Sequence, residues 1–147
     1  MLSQNIDSLS MPDGMDLSVA LVDLNTSTLS ITSAMNPVFL KKGSELIYLK
    51  ASRYSIGGKH EDHIKVFEDN VFHMEKGDKL YFLSDGYVDQ FGGPEGKKYK
   101  ISGLKKTLQE ISPLSMTRQY EYLSREFDRW KGDLDQIDDI LIMGIEF

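Results

Sequence analysis

The chain has 147 residues, a formal net charge of −6, 40% hydrophobic content and no cysteine. That length and apolar share suit one domain with a real core, and an acidic balance without a Lys/Arg cluster interleaved with aromatics argues against a nucleic-acid partner. The missing cysteines exclude a disulfide framework and a thiolate metal site. The N-terminus lacks a basic start and an apolar core, and no run nears the ~20 apolar residues of a membrane span, so a cytoplasmic chain with no membrane partner is expected.

The polar, Ser-rich beginning, broken by Pro12 and Asp13-Gly14, predicts a flexible linker-like segment over 1–12 and a folded domain over 13–147. Leu17, Val19 and Leu21 alternate, and Leu29 and Ile31 follow the turn-forming Asn25-Thr26-Ser27-Thr28, which predicts a hairpin with one apolar face. Val38-Phe39-Leu40, Leu46 to Leu49, Ile64 to Phe67 and Val71 to Met74 continue as short strands. Lys76-Gly77-Asp78 then turns the chain into Leu80-Tyr81-Phe82-Leu83, whose apolar residues on both faces suit a central, covered strand. Ile101, Leu104, Leu108 and Ile111 fall at helical spacing, as do Tyr120, Leu123, Phe127 and Trp130. Two amphipathic helices follow, broken at Ser112-Pro113, with Gly132 stopping the second and its aromatic stripe serving as core. Asp133 to Gln136 loops back to a last strand over Ile140 to Ile145. The order of elements predicts an α+β fold of antiparallel β-sheets layered with α-helices.

Two acidic corners stand where apolar strands meet loops: Ser84-Asp85-Gly86 after one, Asp138-Asp139 before the other. A sheet can bring carboxylates so distant in sequence to one rim, where a hard cation binds. Gly86 permits close backbone approach, and a helical turn over Tyr87 to Phe91 would set Asp85 and Asp89 at i and i+4 on one face. The structural alternative makes Asp85 a helix N-cap, Asp89 a solvated residue and Asp138-Asp139 a polar loop. His60, Asp62 and His63 share one loop at a spacing that is not specific for a transition metal, and His73 stands apart.

The stretch from Ser84 to Gly93 and the segment Gln136-Ile137-Asp138-Asp139-Ile140 resemble the two C-terminal motifs of the metal-dependent type 2C protein serine/threonine phosphatases, in their bacterial SpoIIE-like branch. The resemblance extends through Asp13-Gly14-Met15-Asp16-Leu17, Ala34-Met35-Asn36-Pro37 and Lys76-Gly77-Asp78. It implies a type 2C phosphatase-like β-sandwich, incomplete at the N-terminus, and the hydrolysis of phosphoserine or phosphothreonine in a regulatory protein. Asp85 and Asp138 would be metal ligands. Asp89 matches a ligand of an accessory metal in some members, and Asp139 a position that is often Asn or Asp. Asp13 and Asp16, which flank the first strand, would lie near the site rim with Gly86, although Asp-Gly before a strand is also turn chemistry. The implied cofactors are Mg²⁺ or Mn²⁺, which lower the pKa of a bridging water and neutralise the phosphoryl oxygens in an in-line displacement.

The family's Gly-Asp-x-x-Gly-His-Gly motif, source of a bridging aspartate, has no match in the chain, and Leu141 replaces a common Thr. The expectation is therefore a phosphatase domain that is weak or inactive as this chain alone, with no catalytic residue besides the metal ligands. The alternative is a noncatalytic remnant that binds a partner. In either case, sheet edges and apolar faces left without cover predict a homo-oligomer. A haloacid-dehalogenase-type corner needs Asp-x-Asp, and Tyr87 occupies the place of its second aspartate.

Overall fold

A computed structural model describes residues 14–57 and 66–147. Asp13, His60, Asp62 and His63 lie outside the described residues, as do the segment 1–12 and the start of the strand expected from Ile64. The first half consists of β1 (Gly14–Met15), β2 (Leu17–Asp23), β3 (Thr28–Ala34), β4 (Val38–Lys42), β5 (Glu45–Leu49), β6 (Ile56–Gly57), β7 (Asn70–His73) and β8 (Lys79–Leu83). Beyond these come α1 (Gly86–Asp89), β9 (Phe91–Gly92), β10 (Lys97–Lys98), α2 (Lys100–Ile111), α3 (Met116–Lys131) and β11 (Ile142–Glu146).

The larger sheet has the order β11-β8-β4-β5 and the smaller β2-β3-β7, while β1 pairs with β6 and β9 with β10. Strand alternation sends successive side chains to opposite faces. Val38 and Leu40 of β4 accordingly meet Leu29 and Ile31 of β3 between the sheets. Phe39, Tyr81 and Leu83 point the other way, into Leu104 and Leu108 of α2 and Leu123 and Phe127 of α3. The molecule is thus layered as helix pair, four-stranded sheet, three-stranded sheet. The central place expected for the Leu80 to Leu83 strand is realised, because β8 lies between β11 and β4.

The helix ends follow from local chemistry. Ser115 caps α3, its hydroxyl accepting from the Arg118 N–H at 3.5 Å, and Gly132 closes it with φ 56°, a left-handed value that glycine adopts without a Cβ clash. No helix of the described residues is long and apolar enough to cross a membrane.

Three expectations are corrected. The register pairs Val22 with Leu29 and Ala20 with Ile31, so Ala20 and Val22 face the core while Val19 and Leu21 face outward, Leu21 at 70% exposure. A strand's buried face is set by its partner's register, and a shift by one residue inverts it. Val66 and Phe67 form no strand, since pairing with β3 begins only at Asn70. Tyr120 leaves the apolar stripe of α3 and is 72% exposed. Gln119 turns inward instead, its Oε1 accepting from the Tyr81 hydroxyl at 2.8 Å.

Candidate metal centre

Strand direction places the acidic residues. In the antiparallel larger sheet, Val38 at the start of β4 stands opposite Phe82, and Ile142 at the start of β11 opposite Leu83. The end of β8 therefore shares one rim with the beginnings of β4 and β11. In the smaller sheet Leu17 opens β2 opposite Ala34 at the end of β3, and Met35-Asn36-Pro37 leads directly into β4. Asp16 is exposed at that same rim. His73, opposite Thr28, lies at the far end of its sheet.

At the rim the two acidic corners meet. The Ser84 hydroxyl donates to the Asp139 carbonyl and accepts from the Leu141 N–H, each at 2.9 Å. The Ser84 N–H donates to the Leu141 carbonyl at 3.0 Å. A side chain has entered the ladder, which is why β11 begins at Ile142 and not at the expected Ile140. Gly86 supplies the space: a Cβ there would press into the Asp139 carbonyl, with its carbon at 3.0 Å and Ile140 Cγ1 at 3.3 Å.

Each carboxylate has a different environment. Asp85 is exposed and adopts helical angles, φ −77° and ψ −18°, at the head of α1, where its side chain makes no capping bond. Asp85 thus takes the N-cap position of α1, as the alternative had it, but without a side-chain capping bond of its own. Asp89, one turn on, donates its N–H to the Asp85 carbonyl at 2.9 Å, and its Oδ2 pairs with Lys98 Nζ at 2.7 Å. Asp138 and Asp139 are exposed, and Asp138 Oδ1 accepts from the Asp139 N–H at 2.7 Å.

Among the described residues no group of three or more His, Cys, Asp or Glu side chains is arranged to hold a metal ion. The donor chemistry is nevertheless one-sided: among the described residues the corner offers carboxylates, with no thiol or imidazole, and the Asp85 carboxylate is not engaged in capping α1. Hard oxygen donors suit Mg²⁺ or Mn²⁺. The residues fit such a cation as part of a ligand set.

Three contributors were not legible in the sequence as such. Ser84 and Gln90 lie within the motif, but their roles depend on bonds to the distant segment around Asp139. Lys98 reaches Asp89 only because β9 and β10 fold back on each other. Beside the corner, an apolar cleft runs between α3 and β11, lined by Met116, Leu123, Phe127, Ile140 and Ile142.

A family model for Stage II sporulation protein E, SpoIIE, matches residues 2–147. Among solved structures, the chain is similar to the SiaA-PP2C domain of Pseudomonas aeruginosa, with 24% identity and a TM-score of 0.81 over 90% of this chain and 51% of that one. It is also similar to the PP2C phosphatase domain, with a fragment of the regulatory domain, of the cell fate determinant SpoIIE from Bacillus subtilis. That match has 20% identity and a TM-score of 0.67 over 90% of this chain and 37% of the other. The PPM Ser-Thr phosphatase MsPP from Mycobacterium smegmatis, in complex with cacodylate, gives 13% identity and a TM-score of 0.56 over 95% and 66% of the two chains. A comparison with curated proteins found no match. The chain spans about half the length of the SiaA-PP2C domain.

The antiparallel sheets and helix layer are the fold of these PP2C domains, and the family match covers all but the first residue. The chain belongs to the SpoIIE family, whose model spans residues 2–147.

Proposed function

We propose that the Asp85 and Asp138-Asp139 corner is the C-terminal part of a metal-dependent phosphatase site acting on phosphoserine or phosphothreonine in a regulatory protein. The observation that carries this is the junction itself: Ser84 and Gly86 hold the Asp139 backbone against the head of α1. Asp85 and Asp138 would hold Mg²⁺ or Mn²⁺, with Asp139 beside them. Asp89, neutralised by Lys98, would serve an accessory cation only if that ammonium moved away. A bound cation supplies positive charge that neutralises phosphoryl oxygens and makes water a better nucleophile. The chain's own residues do the placing. Ser84 fixes the loop, Gly86 lets it approach, and Asp16 belongs to the rim around the phosphoryl group. No side chain of this chain is assigned the attack on phosphorus.

This chain alone is proposed to be weak or inactive, because among the described residues its acidic corner is a partial ligand set. A second reading, a noncatalytic self-association module, is favoured by one observation. Leu21 and Val71 flank Ser30 in register on the outer face of the smaller sheet, at 70% and 62% exposure, and β11 ends the larger sheet as an edge strand. Uncovered apolar faces and edges invite a second copy.

Phosphate release from phosphoserine and phosphothreonine peptides in Mn²⁺ tests the first reading. Slow turnover abolished by Asp85→Asn is expected. Turnover indifferent to Asp85→Asn would place the chemistry elsewhere, and a stable homo-oligomer with no turnover would favour the second reading.

A further inference from the structure

The segment before Asp138 has little to hold it. Residues 132–139 are all exposed, and the β8 ladder takes over only at Ile142. Ser84 fixes the chain at and beyond Asp139. The approach to Asp138 is fixed by Gln90, which is fully buried just past α1. Its Nε2 donates to the Asp135 carbonyl at 2.9 Å and to the Phe91 carbonyl at 3.0 Å. Its Oε1 accepts from the Ile137 N–H at 3.4 Å. The side chain thus grips the loop on both sides of Gln136.

Gln90 can do this because its own backbone is tied down. Its N–H donates to the Gly86 carbonyl at 3.1 Å, and its carbonyl accepts from the Tyr99 N–H at 3.0 Å and from Trp130 Nε1 at 3.0 Å. The Gly86 bond closes the same helical turn that Asp85 opens. A buried amide is favourable when satisfied and costly when a partner is lost, so the bonds hold the loop to α1 as a unit.

From this geometry we infer that Gln90 is a positioning residue, setting the Asp138 carboxylate against Asp85 through the backbone of Asp135 and Ile137. The inference rests on the reading of the two corners as cation ligands. Gln90 bonds neither Asp85 nor Asp138 and acts through the loop alone. Outer groups that orient metal ligands typically contribute about 10–100-fold in metal affinity, whereas a purely space-filling core residue would be replaceable by an apolar side chain of equal length.

The test uses Gln90→Met, which keeps length and removes every side-chain bond, and Gln90→Glu, which keeps an acceptor for the Ile137 N–H but loses both donors. Gln119→Met is the matched control. That glutamine is also buried, bonded to Tyr81 and to the Leu114 carbonyl at 2.8 Å each, and has no bond to the loop. Backbone hydrogen exchange over 135–141 and Mn²⁺ binding followed by electron paramagnetic resonance are the two measurements. Gln90→Met should speed exchange in the loop by about 10-fold or more and weaken Mn²⁺ binding by about 10–100-fold. Gln90→Glu should fall between, and Gln119→Met should change neither beyond its effect on global stability. Wild-type loop exchange in Gln90→Met, or wild-type Mn²⁺ affinity with a loosened loop, overturns the inference. Absence of Mn²⁺ binding in the unmodified chain sinks the cation reading and Gln90's link to it, while the exchange rates still decide whether Gln90 holds the loop.

Discussion

Ser84 and Asp139 are bound to each other across the sheet rim, the Ser84 hydroxyl donating to the Asp139 carbonyl at 2.9 Å. The same oxygen accepts from the Leu141 N–H at 2.9 Å, so one side chain just past the end of β8 stands in for ladder bonds that β11 has not yet begun to make. The consequence is positional. Asp138-Asp139 can diverge from the strand and still remain fixed beside Asp85, which follows Ser84 directly.

Gly86 makes that arrangement possible, and Gly86→Ala should break it. The added methyl would meet the Asp139 carbonyl and Ile140, and overpacking of this kind costs about 1–3 kcal/mol. Urea unfolding should show that loss, accompanied by faster hydrogen exchange at Asp139 and Leu141. An alanine variant as stable as the parent would mean the two corners are held less closely than the structure has them.

Much of this architecture was legible in the sequence. The Leu80 to Leu83 run announced a central strand because all its residues are apolar, and helical spacing announced α2 and α3. The orientation of β2 was not legible, because Leu17-Ser18-Val19-Ala20-Leu21-Val22 is apolar on both alternating faces and only the register with Leu29 and Ile31 decides between them. Asp85 and Asp138 stood out because acids at strand ends need a reason. The parts played by Ser84 and Gln90 did not stand out. Their bonds join segments far apart in the chain, and a buried polar side chain leaves no periodic signal.

Asp78 predicts how stability responds to acid. Burial pushes its carboxyl up, but the Glu75 and Gly43 N–H groups and the Lys42 ammonium outweigh burial and hold it below the ordinary carboxylate range. A lowered folded-state value means stability that is present above the unfolded value, about pH 4, and lost as pH falls through the folded value. Asp78→Asn should cost about 1–3 kcal/mol at neutral pH and flatten the acid limb of the stability profile. Parallel pH profiles for the two proteins would contradict this assignment.

Met35 sits in the left-handed region, φ 66°, in the connection from β3 to β4. A side chain there costs about 1–2 kcal/mol, and Met35 is 48% exposed, so it recovers only part of that by burial. Met35→Gly should raise the melting temperature, by an amount equivalent to about 1 kcal/mol once glycine's greater unfolded-state entropy is counted. A lower melting temperature would show that Met35 packs more than its exposure indicates.

Association should respond to the outer face of the smaller sheet. Leu21→Lys places a charge beside Val71 without touching the core, since Leu21 faces away from it. Sedimentation equilibrium should show the parent self-associating and the lysine variant shifted toward monomer, with unchanged circular dichroism. An unchanged mass would move the interface to the β11 edge, where Leu141, Met143 and Ile145 are exposed.

The most direct test of the metal-centre reading is Mn²⁺ binding to this chain, followed by electron paramagnetic resonance in the parent, Asp85→Asn and Asp138→Asn. The account predicts saturable binding in the parent that each substitution weakens by about tenfold or more, with the fold retained because both side chains are exposed. Mn²⁺ affinity that is the same in all three proteins would contradict it.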